Sequence, residues 1–239
     1  MDQRQLEFGA RVYKTFFRDS NIGFWHAYFP QPLDTQLPED TQIDRLFAEP
    51  LIDFCSESFA RMYGFSSPQE LLETPLLLFA SKEDTKNIET VREFVRAGHS
   101  ARNLETHEVD RAGNPRWFIN DVVSEVRDGH LADIWGMQHE ITHRKRQQEK
   151  RIEIRRMLSS KQYLLLQLLS DKYSLKEVGR VMNIAENTAH VHLARIMKKL
   201  DIHDRDQLVR YAREIGISQT HMSEEPPFFG NVTETVTRL

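Results

Sequence analysis

Between Asn187 and Leu200 the chain reads NTAHVHLARIMKKL, and Ala189, Leu193, Ile196 and Leu200 recur at steps of four, three and four. That is the repeat of one buried helix face. Asn187, His190, Val191, Ala194, Arg195 and Lys198 then fall on the opposite side. Small and polar side chains beside cations suit a reader of duplex DNA, because base edges can be approached closely while cations meet phosphate. A solvated basic face gives the same pattern. Other chemistries find no support in residue type and spacing. Gly98-His99-Ser100 lacks the closing glycine of a nucleophile elbow, and no Walker-type glycine loop occurs. Asp53, Glu83 and Asp84 are not arranged around a lysine as in a receiver domain. Only 97 residues follow Thr142, too few for a phosphoacceptor helix pair and an ATP-binding domain, so His143 does not read as a kinase histidine. The reading is that the protein is not an enzyme, with no catalytic and no metal residues assigned.

The elements that would position Asn187–Leu200 are legible around it. Ser174-Leu175-Lys176-Glu177 has the form of a capping box, so a helix starts there and carries Val178, Val181 and Met182 on its apolar stripe. Asn183 permits a tight turn into the basic helix. Leu158-Ser159-Ser160 opens an earlier helix with Leu165, Leu166, Leu168 and Leu169. Asp204 can cap a last one with Leu208, Val209, Ala212 and Ile215, closed by Gly216. Four short helices, the third basic, make an all-α helix-turn-helix domain over 158–217.

This run resembles the LuxR/GerE-type helix-turn-helix domain along its whole length, through Leu158, Leu168, Leu169, Ser174, Lys176, Glu177, Ile184, Glu186, Thr188, His192, Ile196, Lys199, Leu200, Arg205 and Leu208. The resemblance implies a DNA-binding dimer with the third helix in the major groove and the fourth at the dimer contact. Carried over by position, His190, Val191 and Ala194 face bases, while Thr188, Arg195, Lys198 and Lys199 face phosphate, with Lys176 and Asn187 joining the surface. Departures stand at Gln162, where the family usually has Glu, at Lys172 (Gly), Ala185 (Ser), Ala189 (Val) and His190 (Lys or Arg).

The formal net charge of −4 conceals an asymmetry. Residues 1–142 hold 14 Lys/Arg against 24 Asp/Glu, whereas residues 143–217 hold 17 against 9. The positive charge lies where phosphate would be met. No apolar run approaches the roughly 18 to 20 residues of a membrane helix and no secretory segment opens the chain, so the expectation is a cytoplasmic protein without membrane association. The one cysteine, Cys55, rules out an internal disulfide framework.

The first part of the chain divides differently. Residues 1–20 read as an N-terminal helix with Leu6, Phe8, Val12, Phe16 and Phe17 roughly on one side. Asn21–Phe29 is strand-like, Pro30–Thr41 is a loop by composition, and Leu51–Phe54 is a short strand before a helix ended by Gly64. A helix over Lys82–Arg96 precedes three alternating segments, Leu104–Val109, Arg116–Arg127 and His130–Thr142, joined by Asp110–Pro115 and by the hairpin signal Asp128-Gly129. The result is an α+β module over 21–142, an antiparallel sheet with flanking helices. Residues 143–157 form a charged helical linker with Ile141, Gln148, Ile152 and Arg155 along a seam, and 218–239 form a tail.

Residues Ile52–Phe65, Ser67-Pro68-Gln69-Glu70-Leu71, the turn Asp110–Trp117 and the ending Gly136–Lys145 resemble a PAS sensor domain. Trp25, Phe54, Met62, Tyr63, Phe79, Trp117 and Trp135 could line an apolar cavity for a small organic molecule. A closed core that serves only for dimerisation fits the same residues. The flavin-photosensor variant would need an Asn-Cys-Arg-Phe-Leu-Gln helix that is lacking, and a haem variant would need a histidine on Lys82–Arg96, where none occurs. The ligand is therefore unknown. The resemblances together imply a one-component transcription regulator, in which a PAS domain senses a small molecule or a redox or metabolic signal and controls a homodimeric helix-turn-helix on double-stranded DNA. The alternative is a PAS-mediated interaction protein without a ligand of its own.

Overall fold

A computed structural model describes residues 21–218 and, before them, Arg4 alone. The expected N-terminal helix and the tail beyond Ser218 lie outside the described residues. The chain forms two compact units, 1–143 and 144–239.

The first unit is built on a five-stranded antiparallel sheet of order β2-β1-β5-β4-β3. Its strands are β1 (Ile22–Asp34), β2 (Leu51–Cys55), β3 (Ala101–Val109), β4 (Pro115–Arg127) and β5 (His130–Glu140), and its helices α1 (Glu39–Ala48), α2 (Glu57–Met62) and α3 (Thr85–Arg96). This is the α+β arrangement expected of the PAS-like segment. Strand alternation assigns the faces. Trp25, Ala27, Leu104, Phe118, Val122 and Ile134 turn inward against Leu46, Phe59 and Phe94 of the helices, and all are buried. Trp135, Met137 and Val123 turn outward and stay exposed.

Pro30–Thr41 is not the loop that its composition suggests. β1 continues to Asp34: its pairing with β5 is interrupted after Tyr28 and resumes at Leu33 opposite Leu131. Pro30 and Pro32 sit in that interruption, so their missing N–H groups break no ladder. Helix α1 follows directly after Pro38, with Glu39 and Asp40 in its first turn and Ile43 and Leu46 buried. The α3 helix starts three residues later than expected because Asp84 accepts from the Lys86 backbone N–H and acts as its cap. At the β4–β5 turn Asp128 and Gly129 both adopt positive φ (50° and 76°), the two-residue hairpin geometry. Asp110 organises the β3–β4 turn by accepting from the backbone N–H groups of Ala112 and Asn114 and from Arg116. The Asn114 amide and the Arg116 guanidinium hold its carboxyl well below the usual range.

The second unit contains α5 (Ser160–Ser170), α6 (Leu175–Val181), α7 (Glu186–Leu200) and α8 (Arg205–Glu214), preceded by α4 (Thr142–Met157). Capping boxes at Ser159/Gln162 and Ser174/Glu177 start α5 and α6, and Asp204 caps α8. Ala185 gives α7 no side-chain cap. Asn183 takes φ 52° in the turn between α6 and α7. A Cβ on Gly179 would lie 3.0 Å from the Ile184 carbonyl oxygen, so that glycine lets the turn fold back on α6.

Within one chain α4 packs through Ile154 and not through the seam residue Ile152. Ile152 is 45% exposed, whereas Ile154 is 3% exposed and joins Leu158 in the core of this unit. Gln147 donates to the Glu214 carbonyl at 2.5 Å and Arg151 to that of Ile215 at 3.2 Å, meeting carbonyls left open at the end of α8. From Gln147 onward the linker helix thus makes contacts within the helical unit. Among the described residues no helix is long and apolar enough to cross a membrane. The two exposures predict opposite outcomes in a denaturant titration: Ile154→Ala lowers the stability of this unit by about 2 to 4 kcal/mol, while Ile152→Ala changes it by no more than about 0.5 kcal/mol.

Candidate nucleic-acid interface and buried cavity

On α7 the inward face is Ala189, Leu193 and Ile196, all buried. Their burial leaves Asn187, Thr188, His190, Val191, Ala194, Arg195 and Lys198 exposed. Ala194 is one turn from His190 and from Lys198, so the middle of this surface carries only a methyl group between longer side chains. Lys176, at the second position of α6, is exposed as well. Among the described residues neither Arg195 nor Lys198 is engaged in an ion pair, and two cations without internal partners are available to an external anion.

Lys199 departs from the expected phosphate-facing role. Its Nζ donates to the Met157 carbonyl at 2.9 Å and to Gln162 Oε1 at 3.0 Å. It therefore ties the end of α7 to the end of α4 and the start of α5. Gln162 uses the same oxygen to accept from the Ser159 backbone N–H at 3.0 Å. One amide oxygen thus serves both a helix cap and the lysine.

The sheet unit holds a partly open cavity of about 80 Å³ between the inner sheet face, α1, α2 and α3. Of the seven aromatic and methionine side chains expected around it, Trp25 and Tyr63 line it. The other five do not, and strand phase accounts for three of them. Phe54 and Trp135 both pair with His26 on the outer face, and the Trp135 and His26 ring centroids are 3.8 Å apart. Trp117 is out of phase with Phe118 and stacks on His107 under the Lys86 ammonium. Phe79 stacks behind Tyr63 at 4.7 Å, and Met62 packs near Gly23.

The residues that sequence reasoning missed are polar. Thr106, Glu108, Asn120 and Gln138 occupy inward positions of β3, β4 and β5 and line the cavity. They form a chain in which Asn120 donates to Thr106 (3.0 Å), Thr106 to Glu108 (2.6 Å) and Gln138 to the Tyr63 hydroxyl (2.8 Å), while Tyr63 donates to the second oxygen of Glu108. Glu108 is 7% exposed, and burial raises its pKa above the usual carboxylate range despite the Thr106 and Tyr63 bonds. The available signal was phase: Leu104, Thr106 and Glu108 share one side of β3.

Four histidines of this unit are held by neighbouring groups. His26 lies on the outer face with Nδ1 bonded to Asp53 and Nε2 3.3 Å from Asp133. His99 meets Gln42 at 2.8 Å, His107 meets Asp84 at 2.9 Å, and His130 bonds the Asp128 carbonyl at 2.9 Å. Burial pushes the Cys55 thiol up to about 11, which keeps it protonated and disfavours a redox role at neutral pH.

Residues 156–212 match the family model described as bacterial regulatory proteins, luxR family. The chain is similar to the response regulator protein VraR of Staphylococcus epidermidis, at 26% identity over 100 residues, 42% of this chain and 48% of that protein. It is also similar to VraR of Staphylococcus aureus, at 32% identity over 71 residues, 30% of this chain and 34% of that protein. These matches thus span about half or less of the relatives' own length. Among solved structures, the VqmA–ligand–DNA complex of Vibrio cholera matches at 14% identity over 91% of this chain and 90% of that chain, with TM-score 0.36. The PAS domain of a protein from Colwellia psychrerythraea matches at 15% identity over 58% of this chain and 98% of that chain, with TM-score 0.39.

The buried carboxyl of Glu108 carries a pH prediction. A carboxyl whose folded pKa is raised contributes stability that is lost as pH rises through that pKa. Thermal unfolding of Glu108→Gln and the parent, compared from about pH 5 to 8, should show the parent losing ground to the variant as pH rises. A constant difference would mean that Glu108 ionises as readily in the folded chain as in the unfolded one.

Proposed function

From the luxR-family regulatory domain at residues 156–212, we propose that this protein is a DNA-binding transcription regulator whose α7 enters the major groove. His190, Val191 and Ala194 meet base edges there, and Thr188, Arg195 and Lys198 meet phosphate. The observation that carries this reading is the exposed surface of α7, small at Ala194 and cationic at Arg195 and Lys198, set on a buried apolar face. The PAS-like unit acts as the input, its cavity taking a small molecule that alters the DNA affinity of a homodimer. Dimerisation is supported by the outer sheet face, where Val123 is 53%, Trp135 49% and Met137 36% exposed. A dimer would set two α7 helices about 34 Å apart along one side of the duplex.

DNA titration at several salt concentrations tests this reading. Lys198→Ala weakens specific and non-specific sites alike and reduces the salt slope by about one. His190→Ala changes which bases are preferred. Lys199→Met lowers thermal stability and leaves the salt slope as in the parent, since its ammonium is committed to Met157 and Gln162. An unchanged slope in Lys198→Ala, or unchanged base preference in His190→Ala, would remove this surface from the interface.

A further inference from the structure

Trp25 is 6% exposed and lines the cavity, and its buried indole N–H has no hydrogen-bond partner among the described residues. A buried indole N–H usually finds an acceptor, and leaving one unmade is unfavourable by about 1 to 3 kcal/mol. The position of the ring is built in. Trp25 pairs with Gly136 of β5, and a Cβ on that glycine would lie 2.1 Å from one ring carbon and 2.2 Å from another. Only glycine leaves room for the indole ring at this point of β5.

The remaining walls state what else is required. The polar groups opposite are already paired with one another: both oxygens of Glu108 accept, from Tyr63 and from Thr106. The lining contains no lysine, arginine or histidine, so an anion would meet Glu108 without a counter-charge. An ammonium offers only donors and would leave the indole unsatisfied. Phe59, Phe94, Leu104, Val122 and Ile134 supply the rest of the surface, which is apolar. The volume of about 80 Å³ is smaller than the roughly 150 Å³ that admits benzene.

We infer that the cavity selects small uncharged molecules that present one hydrogen-bond acceptor, such as a ketone oxygen, to the Trp25 indole N–H and bury an apolar remainder. The inference rests on the reading of this unit as a sensor and adds the chemical class of what it senses.

The test uses the full chain and the indole N–H resonances of its three tryptophans. Trp117→Phe and Trp135→Phe, both on the outer face, assign two of them, so Trp25 follows without a core substitution. The probes are butanone, its isostere 2-methyl-1-butene with CH2 in place of oxygen, propionate and propylammonium. Butanone is expected to move the Trp25 indole proton downfield, leave the other two in place, and bind about fivefold more tightly than the alkene, the effect of one net hydrogen bond. Propionate and propylammonium are expected to leave all three in place. Intermolecular contacts from the probes to the Leu104 and Ile134 methyl groups report entry independently. If butanone shows those contacts and the Trp25 proton stays in place, or if alkene or propionate moves it equally, acceptor selection is wrong while the cavity reading stands. If no probe reaches those methyl groups, the N–H is served by water, and both the inference and the sensor reading fall. If butanone behaves as expected but does not change DNA affinity, acceptor selection stands and only control of the output is lost.

Discussion

A side chain on a regular element can serve one face only, and this constraint allots every recognition group in the protein. On α7, Ile196, Leu193 and Ala189 are held in the core of the helical unit. With 3.6 residues per turn, their burial forces His190, Val191, Ala194 and Lys198 outward without any further interaction. In the sheet the period is two. Phe118 and Ile134 are buried at 0% and 1%, so Trp117 and Trp135 must turn away from the cavity. The same rule brings Thr106, Glu108, Asn120 and Gln138 into it.

The inward polar groups are tolerated because each is satisfied by the next. A carboxylate taken out of water is strongly unfavourable unless its lone pairs are used. Glu108 meets that condition through Tyr63 and Thr106, which are in turn held by Gln138 and Asn120. Against this closed chain the partnerless indole of Trp25 stands out. Among the described lining residues it is the one buried side-chain polar atom with no hydrogen-bond partner at all.

In the helical unit the side-chain donors, neutral Gln147 and the basic residues alike, divide by what they touch. Gln147, Arg151 and Lys199 spend their donors on backbone carbonyls at helix ends, where the dipole also favours cations. They hold α4, α7 and α8 together. Arg195 and Lys198 keep theirs for solvent or a phosphate. Residue type alone does not separate the two groups, because Lys198 and Lys199 are neighbours in sequence. A step of one residue along a helix rotates the side chain by about 100°, enough to take one ammonium to Met157 and leave the other exposed.

What the sequence by itself determined here rests on local rules. The boxes Ser174/Glu177 and Ser159/Gln162, the left-handed turn residue Asn183, the Asp128-Gly129 hairpin and the apolar repeat of α7 each act within a few residues. Sequence therefore carried the helix-turn-helix, the strand meander and the outward face of the basic helix. Tertiary structure alone decided the rest. Pro30 and Pro32 could remain in a strand only because β5 leaves them unpaired, and helix α1 stayed hidden behind that proline-rich composition. Ile154 rather than Ile152 became the anchor of α4 because it faces the core of the helical unit. The cavity lining shifted from outward aromatics to inward Thr106, Glu108, Asn120 and Gln138 because a strand's phase toward the core is set by the partner strands. Which side of β3 or β4 faces α3 is a property of pairing between segments far apart in the chain, and composition does not contain it.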